Sequence, residues 1–563
     1  MRSKELLTLA IETSCDDTCV AVLESWEDSN RKDFKKRPEK VARLLFNKKI
    51  TSDQRQFGGV HPAVAVEWHQ RHLATLVQEA ITSLPEADVS GNNNPYQPTQ
   101  RRRTPDLVAV TRGPGMPTSL ATGMEVAKGL ALAWGIPVIG VHHMQAHALT
   151  PQLVEALDRW DDDAEGPSLA SSPWAQRQQQ QQLAQAVSEP PSFEQQKPAA
   201  QEKHEHDDDP ADPSLDYPYL NLLVSGGHTQ LVYSSSLTSH QILCTSENIA
   251  LGDMLDKAAR KILPASVLSA GQNVMYAAAL ERFAFPQFPQ GADEHELNFD
   301  FFKYTPPPNR AAEIAPFQSP YGWTLSPPLY ASRKMEYNFT GLGSQAQRIA
   351  ETLEGFSSYE DAANDQVIIS REKNSVSPDE PNTNSNSPDT EEYDTCDKPA
   401  TLSPTDSETD SSSDALVLSP ALHEEEQLEQ RRYLARAVMQ LAFEHLASRI
   451  VMVLQAQAKT LPKEHQVKTL VVSGGVASNQ FLRHVLRRVL EVRGFGHVEI
   501  MAPPVNLCTD NAAMIAWTGS EMYRAGWVSK LDMLPIKRWS LSSTGEQGGI
   551  TGTEEKPFYV ERS

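Results

Sequence analysis

The apolar positions of this chain fall into short unbroken runs, separated by longer stretches in which they recur every three or four residues. LLTLAIETS (6–14) and CVAVLES (19–25) read as two strands around a tight turn. PDLVAVTRGPG (105–115) reads as a buried strand running into a Gly/Pro turn. TSLATGMEVAKGLALAWG (118–135) has helical spacing and ends at Gly135, a residue suited to a helix C-terminus. PVIGVHH (137–143) is a further short strand, and YLNLLVSGGHTQLVYSS (219–235) a strand pair. LARAVMQLAFEHLASRIVMVLQAQAK (434–459) predicts a long amphipathic helix, and VKTLVVSGGVASNQFLRHVLRRVLEV (467–492) a strand, a glycine turn and a helix. The expected class is α/β with mixed sheets.

Two stretches break this alternation. Residues 151–216 include QRQQQQQLAQ and HEHDDDPADP, and residues 357–425 include SVSPDEPNTNSNSPDTEEYD and SETDSSSD. Both are too poor in apolar residues to offset the entropy of ordering, and both read as disordered insertions in surface loops. The His/Asp tract at 204–209 has metal-binding composition, but a solvated tract is the commoner use of such a run. The expected layout is a first lobe over 1–150, a second over 217–356 and 426–545, and a flexible tail over 546–563. The formal net charge of −22 changes meaning once divided: the two insertions carry −11 and −14, leaving +3 on the other 428 residues. Charge therefore neither demands nor excludes a nucleic-acid partner. Five cysteines (Cys15, Cys19, Cys244, Cys396, Cys508) occur without a C-x-x-C, which argues against a disulfide framework. Cys15, Cys19 and Cys508 fit better as small buried apolar side chains than as reactive thiols. No run of 18 apolar residues occurs, and residues 1–8 leave little room for a targeting peptide before the first strand.

LLVSGGHTQ and LVVSGGVASN each place Ser-Gly-Gly straight after an apolar strand. Gly-Gly lets the backbone approach a ligand closely, and successive N–H groups can cradle phosphate. Two copies in matching contexts suggest two related lobes facing one nucleotide, the plan of two-lobed actin and sugar-kinase-like ATPases. Asp16 and Asp17 stand where such folds carry an acidic residue near the phosphates. VHHMQAHAL (141–149) sets His143 and His147 four residues apart on one helix face, which suits a metal ion and equally an ordinary polar face. The H-E-x-x-H pattern of metallopeptidases is absent, because Met144 stands where its glutamate base belongs.

Eight motifs in order, IETSCDDT (11–18), GGVHP (58–62), TRGPGM (111–116), KGLALA (128–133), HHMQAH (142–147), LVSGGHT (223–229), SGGVASN (473–479) and CTDNAAMIAW (508–517), resemble the tRNA N6-adenosine threonylcarbamoyltransferase family. ETSCDD resembles its bacterial and mitochondrial branch. The resemblance implies transfer of a threonylcarbamoyl group from threonylcarbamoyl-AMP to N6 of adenosine 37 in tRNAs reading codons that start with A. It implies His143, His147 and Asp510 as ligands of one divalent metal ion per subunit. It implies Val224, Ser225, Gly226, Gly227, Asp256, Gly271 and Asn479 as adenylate-binding positions. Two imidazoles and a carboxylate leave coordination positions open, as catalytic sites do, and zinc and iron(II) both accept such ligands. Asp16 is the candidate acceptor for the proton of the attacking amine, with a turn aspartate bonding local N–H groups as the alternative. A single-stranded anticodon loop offers bases that can be reached.

Several positions depart from the family pattern. Gln145 replaces a usual Glu, Asp253 replaces a Glu within NIALGDMLDK (248–257), and LSAGQ (268–272) keeps only Gly271 of its loop. Thr340-Gly341-Leu342-Gly343 lacks the usual lysine, and Ala63 stands where Glu is common. The branch implies a mitochondrial location, with the cytoplasm as alternative, no membrane partner, and a homodimer for which the segment 64–82 offers an amphipathic face. A non-catalytic ATP-binding scaffold is the other alternative, and the presence of all three candidate ligands speaks against it.

Overall fold

A computed structural model of the chain describes residues 5–28, 39–54, 57, 59–87, 102–163, 217–246, 248–270, 276–286, 303–353, 420–545, 549–551 and 558–559. Gly271, Cys396, the His/Asp tract and most of both expected insertions lie outside the described residues. Strands β1 (Leu6–Glu12), β2 (Asp17–Asp28), β3 (Glu39–Thr51), β4 (Leu107–Gly113) and β5 (Val138–His142) form a sheet in the order β3-β2-β1-β4-β5. β2 runs antiparallel to β1 and β3, while β4 runs parallel to β1 and β5. A second sheet contains β6 (Tyr219–Val224), β7 (Thr229–Ser234), β8 (His240–Thr245) and the strands Thr469–Ser473 and Glu499–Met501. Read from β8 through β7 and β6 to the last two, it repeats the first sheet strand for strand, directions included.

β1 and β4 are buried at every position. Leu7, Leu9 and Ile11 share a core with Leu73 and Leu76 of α1 (Pro62–Thr82) and Met124 and Ala127 of α2 (Pro117–Trp134). On the opposite face, Leu6 and Ala10 share a core with Leu149 and Leu153 of α3 (His143–Asp163) and Met514 and Trp517 of the helix Ala512–Arg524. Cover on both faces is why these strands read as unbroken apolar runs. Gly519 sets how closely the last helix approaches, since a Cβ there would lie 2.5 Å from the Cβ of Ala109.

The chain separates into two units, Met1–Arg348 with Arg432–Ser563, and Ile349–Arg431. Both five-stranded sheets belong to the first. Of the second, the described residues 349–353 and 420–431 are helical.

Three expectations need correction. α3 does not stop before Pro151 but runs to Asp163, because Leu153, Val154 and Ala156 are buried and outweigh the missing N–H of the internal proline. The expected insertion at 151–216 therefore begins too early. The helix read as starting at Leu434 starts at Pro420, before the expected end of the second insertion at 425. Its stretch Glu425–Thr460 is long and apolar enough to cross a membrane, but its most apolar window is 83% buried in the protein, as in a core helix.

Candidate functional site

His143 is the first residue of α3 and follows the last residue of β5 without a linker. His147 lies one turn later, its ring edge-on to that of His143 with centroids 4.7 Å apart. Asp510 sits between the short helix Val505–Cys508 and the helix Ala512–Arg524, whose start is fixed by Asn511 accepting the Met514 N–H. Asp510 Oδ1 is 3.1 Å from His147 Nε2 and 3.5 Å from His143 Nε2. One potential ligand atom from each of the three residues lies within 4.8 Å of the others. The two histidines are buried, while the Asp510 side chain keeps 24% of its surface exposed, so the cluster has an open side.

Glu12, at the end of β1, is fully buried behind His143. Its Oε1 accepts the Ser14 N–H at 2.5 Å, and its Oε2 accepts the Thr111 hydroxyl. His143 Nδ1 lies 3.3 Å from Glu12 Oε2 and 3.3 Å from Ser14 Oγ. A carboxylate on Nδ1 fixes the orientation and tautomer of an imidazole that offers Nε2 to a metal. Burial opposes charge on His143, yet Asp510 and Glu12 outweigh it and push its pKa up to about 9. Burial would raise Asp510, but the two histidines hold it well below the usual carboxylate range. Burial likewise opposes charge on Glu12, and His143 holds it low. His147 is pushed down, chiefly by burial, and its Nδ1 has no partner among the described residues. Two carboxylates around two imidazoles call for a proton or a cation between them. The donor set therefore fits a divalent ion with N,N,O ligation.

Asp16 and Asp17 stand at the turn from β1 into β2. Asp16 is buried, and burial raises its carboxyl, with Asp510 adding to the effect. Asp17 is held by Thr51 and by Lys49 Nζ at 3.1 Å, and Lys49 also donates to Thr509 Oγ1 at 2.9 Å, next to Asp510. Gln145 Nε2 donates to Leu237 O and is absent from the ligand cluster.

The first Ser-Gly-Gly turn follows the buried Val224. Ser225 Oγ accepts the N–H groups of Gly227 (3.3 Å) and His228 (3.0 Å), and Gly226 and Gly227 are exposed, with open space where side chains would be. Burial first, and then the charges of His143 and His147, push His228 down to about 4. In the second turn, Gly474 has φ +95°, and a Cβ there would meet Val224 O at 2.4 Å, so the two turns touch. A Cβ on Gly475 would lie 4.0 Å from the Thr509 Cγ2. Asn479 Oδ1 accepts the Leu482 N–H and caps the helix Gln480–Val492. Asp256, on the helix Leu251–Ile262, accepts the Ala277 N–H at 2.6 Å, and burial lifts its carboxyl to about 6. Neither Asn479 nor Asp256 is bonded to the His143, His147, Asp510 cluster among the described residues.

The sequence reading missed Glu12, Lys49 and His228. Glu12 had a signal, since an ionisable residue closing a fully apolar strand must find buried partners.

A family model of tRNA N6-adenosine threonylcarbamoyltransferase matches residues 43–159, 203–304 and 310–517. The chain belongs to this family. It is 28% identical over 547 residues to a mitochondrial tRNA N6-adenosine threonylcarbamoyltransferase of Schizosaccharomyces pombe, covering 96% of this chain and 87% of that one. It is 25% identical over 545 residues to the tRNA N6-adenosine threonylcarbamoyltransferase of Paramagnetospirillum magneticum, covering 96% and 99%. A solved structure, YeaZ from Pseudomonas aeruginosa, overlaps 27% of this chain and 49% of its own at TM-score 0.15 and 19% identity, too little to bear on the fold. As a tRNA N6-adenosine threonylcarbamoyltransferase, the chain is a tRNA-modifying transferase, and the peptidase and scaffold readings fall away.

Proposed function

We propose that this threonylcarbamoyltransferase takes its group from threonylcarbamoyl-AMP and delivers it to N6 of adenosine 37 in tRNAs reading ANN codons. The carrying observation is the convergence of His147 with Asp510, 363 residues later, onto His143 at the end of β5. His143, His147 and Asp510 would hold one zinc or iron(II) ion. When bound, such an ion supplies Lewis acidity toward an oxygen of the donor.

The chain's own residues supply the remainder. Exposed Gly226 and Gly227, with open space where side chains would be, suit close approach of the adenylate phosphate, and Val224 and Ser225 position them. Asp256 and Asn479, with Gly271 outside the described residues, are assigned to the rest of the adenylate. In the transfer, the N6 amine bonds to the carbamoyl carbon, the carbon–oxygen bond to phosphate breaks, and AMP leaves. The amine gives up one proton, and Asp16 is assigned as its acceptor. Burial raises the Asp16 carboxyl and so makes it more basic.

The duplicated sheets support a two-lobed actin-like ATPase fold, and the name of the Schizosaccharomyces pombe relative supports a mitochondrial location; a homodimer that works away from membranes completes the proposal. In the decisive test, His143→Ala, His147→Ala and Asp510→Ala each lose bound metal by elemental analysis and lose transfer from preformed threonylcarbamoyl-AMP. A His143→Ala protein with full metal content and full transfer refutes the site. Light scattering at micromolar concentration should give a dimer, and an active strict monomer would refute that part. A tagged product found only in the cytosol, with mitochondrial tRNA still modified in the knockout, would refute the location.

A further inference from the structure

Residues 533–543 (MLPIKRWSLSS) cross the end of the first sheet that carries His143, with no regular secondary structure of their own. Bonds to other elements pin them instead. Arg112 Nε donates to Leu534 O (3.0 Å), the Ile536 N–H to Arg112 O (2.8 Å) and the Gly115 N–H to Lys537 O (3.4 Å). His142 Nε2 is 3.1 Å from Trp539 O, and the Ser543 N–H donates to His240 O at 2.8 Å. The buried Trp539 ring lies against the His142 ring, centroids 4.6 Å apart, with the Arg112 guanidinium 5.7 Å from the indole centroid.

The strap lies at the rim of the metal centre. His142 directly precedes His143. Gly115, which holds Lys537, is followed by Met116, whose N–H donates to Ser14 O, and the Ser14 hydroxyl is 3.3 Å from His143 Nδ1. Between these anchors, Lys537 and Arg538 are exposed. Among the described residues neither side chain has an acidic partner. Many other exposed cations do have one: Arg71 pairs with Glu67, Lys257 with Asp253, Arg488 with Glu491 and Lys48 with Glu79.

We propose that Lys537 and Arg538 dock the phosphate backbone of the tRNA substrate beside the metal centre. Two adjacent unpaired cations on a fixed backbone offer phosphate contacts at a defined place, and such contacts set the register of an RNA without reading its sequence. They also give a chain carrying acidic stretches a local attraction for RNA that its total charge of −22 does not.

The test uses the full chain and a fluorescent unmodified tRNA transcript. Lys537→Glu/Arg538→Glu is compared with the milder Lys537→Ala/Arg538→Ala. The control is Lys459→Glu/Lys463→Glu, two exposed cations before the strand Thr469–Ser473, at its end away from the Ser-Gly-Gly turn. Anisotropy is measured across a salt series, with melting temperature and metal content as checks on folding. Both strap doubles should weaken tRNA binding at least ~10-fold at low salt and flatten the log–log salt dependence by ~1.4–1.8. The KM for tRNA should rise in step, with kcat moving less. Wild-type affinity and salt slope in the alanine double would overturn the proposal, as would an equal loss in the control. Loss of self-association with unaltered RNA affinity would assign the strap to a protein contact and overturn it as well.

Discussion

Glu12→Gln takes one negative charge out of a pocket closed to solvent while keeping the side chain's shape. The carboxylate meets the Ser14 N–H, the Thr111 hydroxyl and His143 Nδ1, and glutamine satisfies that set only in part. Loss of such a partner behind a metal-ligating imidazole weakens metal binding ~10–100-fold, or about 1.4–2.7 kcal/mol. A second readout comes from the metal-free protein, where Asp510 and Glu12 overcome burial and lift His143 from 6.5 to about 9. A raised pKa contributes stability that is complete below the unfolded value of 6.5 and is lost as pH rises through about 9. The shift corresponds to an order of about 3 kcal/mol, of which removal of one of two anions takes roughly half. The assays are competition of the metal-stripped protein against a chromophoric chelator, and thermal melts at several pH values between about 6 and 9.5. The variant should bind metal at least ~10-fold more weakly, and its metal-free form should lose less stability across that range. Metal affinity within twofold of wild type would refute the role given to Glu12.

Gly474→Ala forces a side chain at φ +95° and into Val224 O, and should cost about 2–4 kcal/mol in denaturant unfolding, with weaker adenylate binding. Unchanged stability would mean the two turns do not touch as described. Replacing residues 164–216 by a short Gly/Ser linker should leave the melting temperature nearly unchanged, since loop length costs only about 0.6 kcal/mol per doubling. Starting the same replacement at Pro151 removes the buried Leu153 and Val154, at about 2–5 kcal/mol for a large buried side chain, and should yield insoluble protein. His142→Ala should keep its metal but lose about 2–3 kcal/mol of stability, because His142 Nδ1 accepts from the Met144 and Gln145 N–H groups and Nε2 meets Trp539 O. A fall in metal content at wild-type stability would place His142 among the ligands.

The elements legible in the sequence are those whose burial is uniform. β1, β4 and β6 are covered on both faces and announce themselves as apolar runs. β3 was not predicted, because EKVARLLFNKKIT forms a sheet edge, is exposed at Asn47, Lys48 and Lys49, and mixes charge with its apolar residues. The second half of α3 was hidden in the polar composition given to 151–216, although Leu153, Val154 and Ala156 pack it into the core across an internal proline. Among site residues, the spacing of the histidine pair left a metal site and a polar helix face equally open, and the assignment of His143, His147 and Asp510 came from the family likeness. Lys49 and His228 act through contacts between distant segments, which no local pattern encodes, whereas Glu12 had a local signal at the end of an apolar strand but its partners did not.

The core on one side of the first sheet joins residues from the first 156 positions to the helix Ala512–Arg524. During synthesis, β1, β4 and α3 leave the ribosome roughly 350 residues before that helix, about 20–70 s at ordinary elongation rates. Throughout that interval the nascent chain presents Ala10, Ala109 and Leu149 with no lid from Met514 and Trp517. Asp510 arrives in the same late segment, so completion of the His143, His147, Asp510 cluster and closure of the N-terminal core fall together near the end of translation. A ribosome stalled before that segment would release a chain with a sticky apolar face and the two histidines without Asp510, a natural client for chaperones and proteases.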